Sequence, residues 1–144
     1  MTFTQVRKRL NKIPCINSGG CGVAALALLR WRRDHGYTTG IIVFLDDDGE
    51  NESNREALLT GNLDYLRVPS HIMLQVNSKL YDTTGINPPY VRLFEDKLSG
   101  VPENILIHLL NKSYGWNDMF DRETYIPEIE SLLDVDLSDI EREI

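Results

Sequence analysis

At 144 residues, with 42% hydrophobic and 26% charged side chains, the chain matches a single folded domain, 1–144, and its composition is that of a globular protein rather than a disordered one. A domain of this size buries about two thirds of the surface its unfolded chain exposes. No apolar run approaches the roughly 18 residues of a membrane span, and the start Met-Thr-Phe-Thr-Gln-Val-Arg-Lys-Arg lacks the apolar stretch of a secretory signal, which predicts a cytoplasmic protein with no membrane partner. A net charge of −7 argues against non-specific nucleic-acid binding.

Phe3, Val6 and Leu10 recur at helical spacing, so Thr4 to Asn11 reads as a short amphipathic helix that the Ile13-Pro14 step ends. Pro14 to Gly20 reads as a loop. From Cys21 the positions Val23, Ala24, Ala27, Leu28 and Trp31 trace an apolar helical face, and Ala25, Leu26 and Leu29 widen it until the first two turns are almost wholly apolar. This pattern predicts a buried helix with Cys21 at its start, basic near its carboxyl end and stopped at Gly36. Thr38 to Leu45 is β-branched and apolar and predicts a buried strand, which the acidic segment Asp46 to Glu52 ends. That segment is no calcium loop: aligned on Gly49, it places Phe44 and Arg55 where the first and last ligands belong.

A short helix over Asn54 to Leu59 and a strand over Tyr65 to Val68 are predicted next. After Pro69, Ile72, Leu74 and Val76 alternate with His71, Met73 and Gln75, and Lys79 to Thr83 returns after Asn77-Ser78. With those two as the turn, Val76 faces Lys79, Met73 faces Asp82 and His71 faces Thr84. His71 and Asp82 then share one face as diagonal neighbours within side-chain reach. Val91 to Phe94 is predicted as a short edge strand beyond the Asn87-Pro88-Pro89 loop. A helix follows Pro102, with Ile105, Leu106, Leu109 and Leu110 inside, and another spans Pro127 to Ile144 with acids on its outer face. That acidic helix is also the candidate surface for a protein partner.

A thiol is nucleophilic as thiolate, and a helix N-terminus beside an imidazolium favours that form. An aspartate on the second imidazole nitrogen fixes its tautomer and stabilises its charge. Cys21, His71 and Asp82 are therefore the candidate catalytic residues. The unpaired backbone N–H of Cys21 is the candidate oxyanion donor, with the Asn17 side chain as a second, and Gly19 and Gly20 allow a tight turn before the nucleophile. Cys15 reads as a structural or incidental reduced thiol, His35 as a helix-end residue, His108 as a helix residue, and Trp31 and Trp116 as packing residues. Three histidines and two cysteines show no metal-ligand spacing, so neither metal nor cofactor is expected.

Residues 1–35 carry seven Lys/Arg against Asp34 alone, a net +6, and the remainder eight against twenty-one, a net −13. Arg7-Lys8-Arg9 and Arg30, Arg32 and Arg33 could form a basic patch, but the simpler reading packs the basic third against the acidic remainder or leaves it solvated.

Gly-Gly-Cys-Gly-Val-Ala-Ala-Leu before a buried helix, then His-Ile-Met-Leu-Gln-Val and Tyr-Asp-Thr-Thr-Gly, resembles the core of the papain-like cysteine peptidase superfamily, above all its transglutaminase-like and C39-like branches. The resemblance covers residues 17 to 85. It implies an α+β, papain-like fold with a nucleophile helix packed on an antiparallel β-sheet, and the roles of nucleophile for Cys21, general base and acid for His71 and orienting acid for Asp82. Papain-type enzymes carry a glutamine several residues before the cysteine and an aromatic after it; here Asn17 stands nearest and Gly22-Val23 follows. The implied activity is a thiol hydrolase or acyltransferase on an amide bond of a protein or peptide substrate, of the peptidase or of the glutamine deamidase and transglutaminase type. The rival reading is the same fold as an inactive protein-binding module.

Overall fold

The computed structural model describes residues 1–114 and 119–142. Trp116 and Ile144 lie outside the described residues. Among the described residues the fold is α+β, with five α-helices and one four-stranded antiparallel sheet of order β3-β2-β1-β4.

Helix α1, Phe3–Leu10, opens on a capping box: the Thr2 hydroxyl accepts from the Gln5 N–H and the Gln5 side chain accepts from the Thr2 N–H. Helix α2, Cys21–Asp34, is the centre of the core. Ten of its fourteen residues are buried, and Gly36 follows its end at φ 74°. Strand β1, Ile41–Asp46, is covered on both faces, which is why its sequence is a continuous apolar run rather than an alternation. Ile42 and Phe44, with Ile72, Leu74 and Val76 of β2 (His71–Val76), face the main core around α2. Val43, Leu45, Met73 and Leu80 form a second, smaller cluster on the opposite face with Val91, Tyr90 and Phe94.

Between β2 and β3, Lys79–Tyr81, the register is the one the turn residues predict, Val76 with Lys79, Gln75 with Leu80 and Leu74 with Tyr81, but the ladder ends there, so the returning strand stops short of Thr83 and the expected Met73–Asp82 and His71–Thr84 pairs do not form. Asn77 supplies the left-handed turn conformation, φ 57°. Helix α3, Glu50–Thr60, starts four residues before the expected Asn54. Gly49 turns the chain at φ 82°, the buried Asp46 carboxylate accepts from the Asn51 N–H at 3.1 Å, and Glu50 and Glu52 sit in the first turn, where the helix dipole favours anions.

Three expected elements are corrected. Tyr65 to Val68 is not a strand: Asn62 caps a 3₁₀ turn, Leu63–Tyr65, and the extended chain after it gives the Arg67 N–H to the Asn54 side chain at 2.7 Å instead of to a ladder. Val91 to Phe94 is not a strand either, since Pro88 and Pro89 start a 3₁₀ helix, Pro89–Leu93, in which the Val91 N–H bonds the Pro88 carbonyl. The sheet edge is instead β4, Asp96–Val101, paired to β1 with Gly100 as a bulge residue at φ 78°.

The third correction is the last helix. After α4, Glu103–Lys112, helix α5 spans Arg122–Leu133 and stops where Asp134 turns left-handed at φ 52°. Val135, Leu137 and Ile140 are buried as irregular chain. Pro127 lies inside α5, not at its start; Asp121 is the cap and accepts from the Thr124 N–H. Arg30 holds the segment beyond α5, donating to the Asp136 carbonyl at 2.7 Å and, through two nitrogens, to the Asp139 carboxylate.

The basic third meets the remainder in two ways. Arg30 and Arg33 pair with acids, whereas Arg7 and Arg32 are buried against aromatic rings, Arg7 5.4 Å from Tyr81 and Arg32 5.2 Å from Tyr37. No helix among the described residues is long and apolar enough to cross a membrane.

Candidate active site

Small residues set Cys21 at the start of α2. Gly19 turns the chain at φ 101°. A Cβ on Gly20 would stand 2.7 Å from the Ile16 carbonyl oxygen and 2.9 Å from Phe120, and one on Gly22 would stand 2.7 Å from Leu110 and 3.2 Å from Ile72. The loop therefore folds back onto Ile16, and the first turn of α2 is pressed between β2 and α4. Gly20 provides no side-chain cap, and the first helical bond is Ala24 N–H to the Gly20 carbonyl at 2.9 Å. The N–H groups of Cys21, Gly22 and Val23 precede that bond, so the helix itself leaves them free to meet negative charge.

His71 is the first residue of β2 and is buried, on the same sheet face as Met73. Helix α2 lies on the other face, so helix start and imidazole meet where the strand begins. The ring's Nε2 lies 3.1 Å from Asp82 Oδ2. Burial works against a charged ring here, but the hydrogen bond to Asp82, the neighbouring Cys21 side chain and the negative charge of Asp82 raise the His71 pKa from 6.5 to about 9. With Nε2 engaged by Asp82, Nδ1 is the nitrogen left for the thiol.

Asp82 follows β3 directly, one residue past the ladder. Its Oδ1 accepts from the Thr84 N–H at 2.8 Å, the Thr84 hydroxyl at 2.5 Å and the Gly85 N–H at 3.1 Å. Its Oδ2 accepts from His71 and from the Tyr90 hydroxyl. Burial alone would raise the carboxyl pKa; the hydrogen bonds from His71 and Thr84 outweigh it and hold Asp82 below the usual carboxylate value. Of the three residues expected together from the sequence, His71 and Asp82 are hydrogen-bonded, and Cys21 stands at the start of α2 near enough to His71 to act on its charge.

Asn17 borders the same site but is partly committed. Its Nδ2 donates to the Thr83 hydroxyl at 2.7 Å, which in turn donates to Asn11 at 3.0 Å, leaving the second amide N–H as the only one available to an oxyanion. Cys15 and Cys21 are both free thiols. His35 caps α2 through Trp31, and His108 is exposed on α4; among the described residues no group of three or more His, Cys, Asp or Glu converges as a metal site.

Two aromatic residues escaped the sequence reading. The Tyr90 hydroxyl shares the Asp82 oxygen that holds His71, and the Phe94 ring stacks on the imidazole with centroids 6.4 Å apart. Both come from the proline-rich segment under the second sheet face, and nothing local in the sequence links them to Asp82. Arg122 escaped it as well: it is buried, with Tyr114 4.6 Å from its guanidinium, and lines the cleft in front of Cys21. That cleft has a volume of about 380 Å³, with Cys21 and Gly22 on one side, Val68 to Ser70 on another, and Ile72, Leu109 and Leu110 as its apolar lining.

Comparison with protein-family models, with curated proteins and with solved structures returns no match. The assignment of chemistry therefore rests on the site itself: a thiol at a helix N-terminus, a buried imidazole whose charge it influences, and a hydrogen-bonded carboxylate behind the imidazole.

Proposed function

We propose that the protein is a cysteine-dependent hydrolase or acyltransferase of papain-like type, acting on an amide bond of a protein or peptide substrate. The observation that carries this reading is the buried His71–Asp82 hydrogen bond at 3.1 Å beside a thiol, Cys21, that opens a helix and acts on the charge of His71. His71 takes the proton of Cys21, and the resulting imidazolium is stabilised by Asp82. The thiolate attacks the substrate carbonyl, while the Cys21 N–H and the free N–H of Asn17 receive the oxyanion. His71 then gives its proton to the leaving amine, and the acyl group passes from the sulfur to water or to an acceptor amine. Water gives peptidase or deamidase chemistry; an amine gives transamidation.

Alkylation with iodoacetamide across a pH series, with the adduct located by mass spectrometry, tests the reading. Cys21 should react well below the pH of an ordinary thiol, whose pKa is about 8.5, and ahead of Cys15. Equal reactivity of the two thiols would turn the reading into that of a protein-binding module on the same fold.

A further inference from the structure

The cleft before Cys21 continues into a second hollow of about 270 Å³ that shares Val68, Leu109 and Ser113 with it, so the two form one groove between the extended segment 66–70 and α4. The far end of this groove is cationic. Its lining includes Arg67 and Lys112, and no acidic residue lines either hollow among the described residues. Arg30, Arg33, Arg55 and Arg142 each pair with a carboxylate elsewhere in this chain of net charge −7.

Lys112 and Arg67 turn instead to backbone carbonyls. Lys112 Nζ donates to Leu63, Asp64 and Leu66, which uses its three N–H bonds and ties α4 to the 3₁₀ turn. Arg67 donates to the carbonyls of Asp64 and Leu66 through Nη1 alone, so its Nε and Nη2 edge has no partner among the described residues. That edge is a two-donor fork, and its natural complement is a carboxylate.

We propose that the groove selects an acyl-donor polypeptide carrying an aspartate or glutamate that binds the Nε and Nη2 edge of Arg67, with an apolar stretch of the same segment seated on Leu109 and Val68. The inference rests on the amide-bond reading of the Cys21 site.

The test uses the full-length Cys21→Ser protein, which holds a peptide without turning it over, and fluorescein-labelled amidated octapeptides of serine and leucine around one central glutamine. Glu, Gln or Lys is placed at each other position in turn, and binding is read by fluorescence anisotropy. At one position Glu should bind about tenfold more tightly than Gln, the size of one charge-assisted hydrogen-bonded contact. Arg67→Ala should erase that preference, Arg67→Lys should keep part of it, and Arg67→Glu should transfer it to the Lys peptide. Equal binding of Glu and Gln peptides throughout, a preference that survives Arg67→Ala in a protein that melts like its parent, or no saturable binding of any peptide would each overturn the inference. Alkylation of Cys21 in the natural sequence separates the two ideas: an ordinary thiol with a Glu preference leaves the groove standing and removes the chemistry, and an activated thiol without that preference does the reverse.

Discussion

Asp82 is surrounded by donors and by donors only, and this decides what an amide in its place would do. Oδ1 accepts from two backbone N–H groups, Thr84 and Gly85, which cannot reverse their polarity, so an asparagine at 82 must place its carbonyl oxygen there and its NH₂ toward His71. Nε2 of His71 would then have to accept, the ring proton would move to Nδ1, and the imidazole could no longer take the thiol proton. Asp82→Asn should lower kcat by something on the order of 10³–10⁴, as expected for a wrong tautomer, with a much smaller change in melting. Turnover that merely follows the folded fraction would make Asp82 a structural residue. Tyr90→Phe is the contrasting case, because it removes one donor from Oδ2 but leaves the tautomer intact. It should cost about 1–2 kcal/mol of stability and move the acid limb of the pH–rate profile upward, since the carboxylate loses a hydrogen bond that favours its charged form. An unmoved acid limb would remove Tyr90 from the positioning of the site.

Among the elements, the loop and first turn that carry Cys21 are fixed by two glycines of different kinds. At Gly20 a Cβ meets the Ile16 carbonyl oxygen and Cα, backbone that cannot yield locally, whereas at Gly22 its closest contact is a terminal methyl of Leu110. Gly20→Ala should therefore destabilise by about 2 kcal/mol or more, in the range of overpacking. Gly22→Ala should cost less, because helix propensity returns up to about 1 kcal/mol and Leu110 can turn away. Urea unfolding of the two variants decides it; a Gly20→Ala protein as stable as its parent would refute the contact with Ile16. The same elements show what can be read from a chain. The hairpin register, and with it the common face of His71 and Asp82, follows from two turn residues and strict alternation, both local. β4 was hidden because it is a half-exposed edge strand interrupted by the bulge at Gly100, and so lacks any apolar period. The end of α5 was hidden because Leu137 and Ile140 continue the helical spacing of Ile129 and Leu133 although the chain turns at Asp134 and buries them in irregular form. Cys21, His71 and Asp82 were legible from local context. Tyr90, Phe94 and Arg122 reach the site by packing between elements distant in the chain, which no spacing rule encodes.

At the scale of the whole molecule, the ionic groups that fold together should confine maximal stability to mildly acid pH. Asp139 is held below its ordinary 3.8 chiefly by the Arg30 hydrogen bond, and Asp96 is lowered by Arg55. Their contribution is complete above the unfolded value and is lost as pH falls through the depressed one, and as pairs whose carboxylates stay open to solvent each adds about 1 kcal/mol or less. His71 works in the opposite sense. Its folded pKa of about 9 exceeds the unfolded 6.5, so the folded state binds the extra proton between those values. The stabilisation is fully present below 6.5 and disappears as pH rises through about 9. Melting temperature measured from pH 3 to pH 10 should accordingly peak between the unfolded carboxylate value, 3.8, and the unfolded histidine value, 6.5, then decline toward 9. The decline should be shallower in Asp82→Asn, which removes the partner that raises His71 most. A flat melting profile across the alkaline arm would mean that the imidazolium is not held between thiol and carboxylate, and the proton on which both attack and leaving-group departure depend would have to be sought elsewhere.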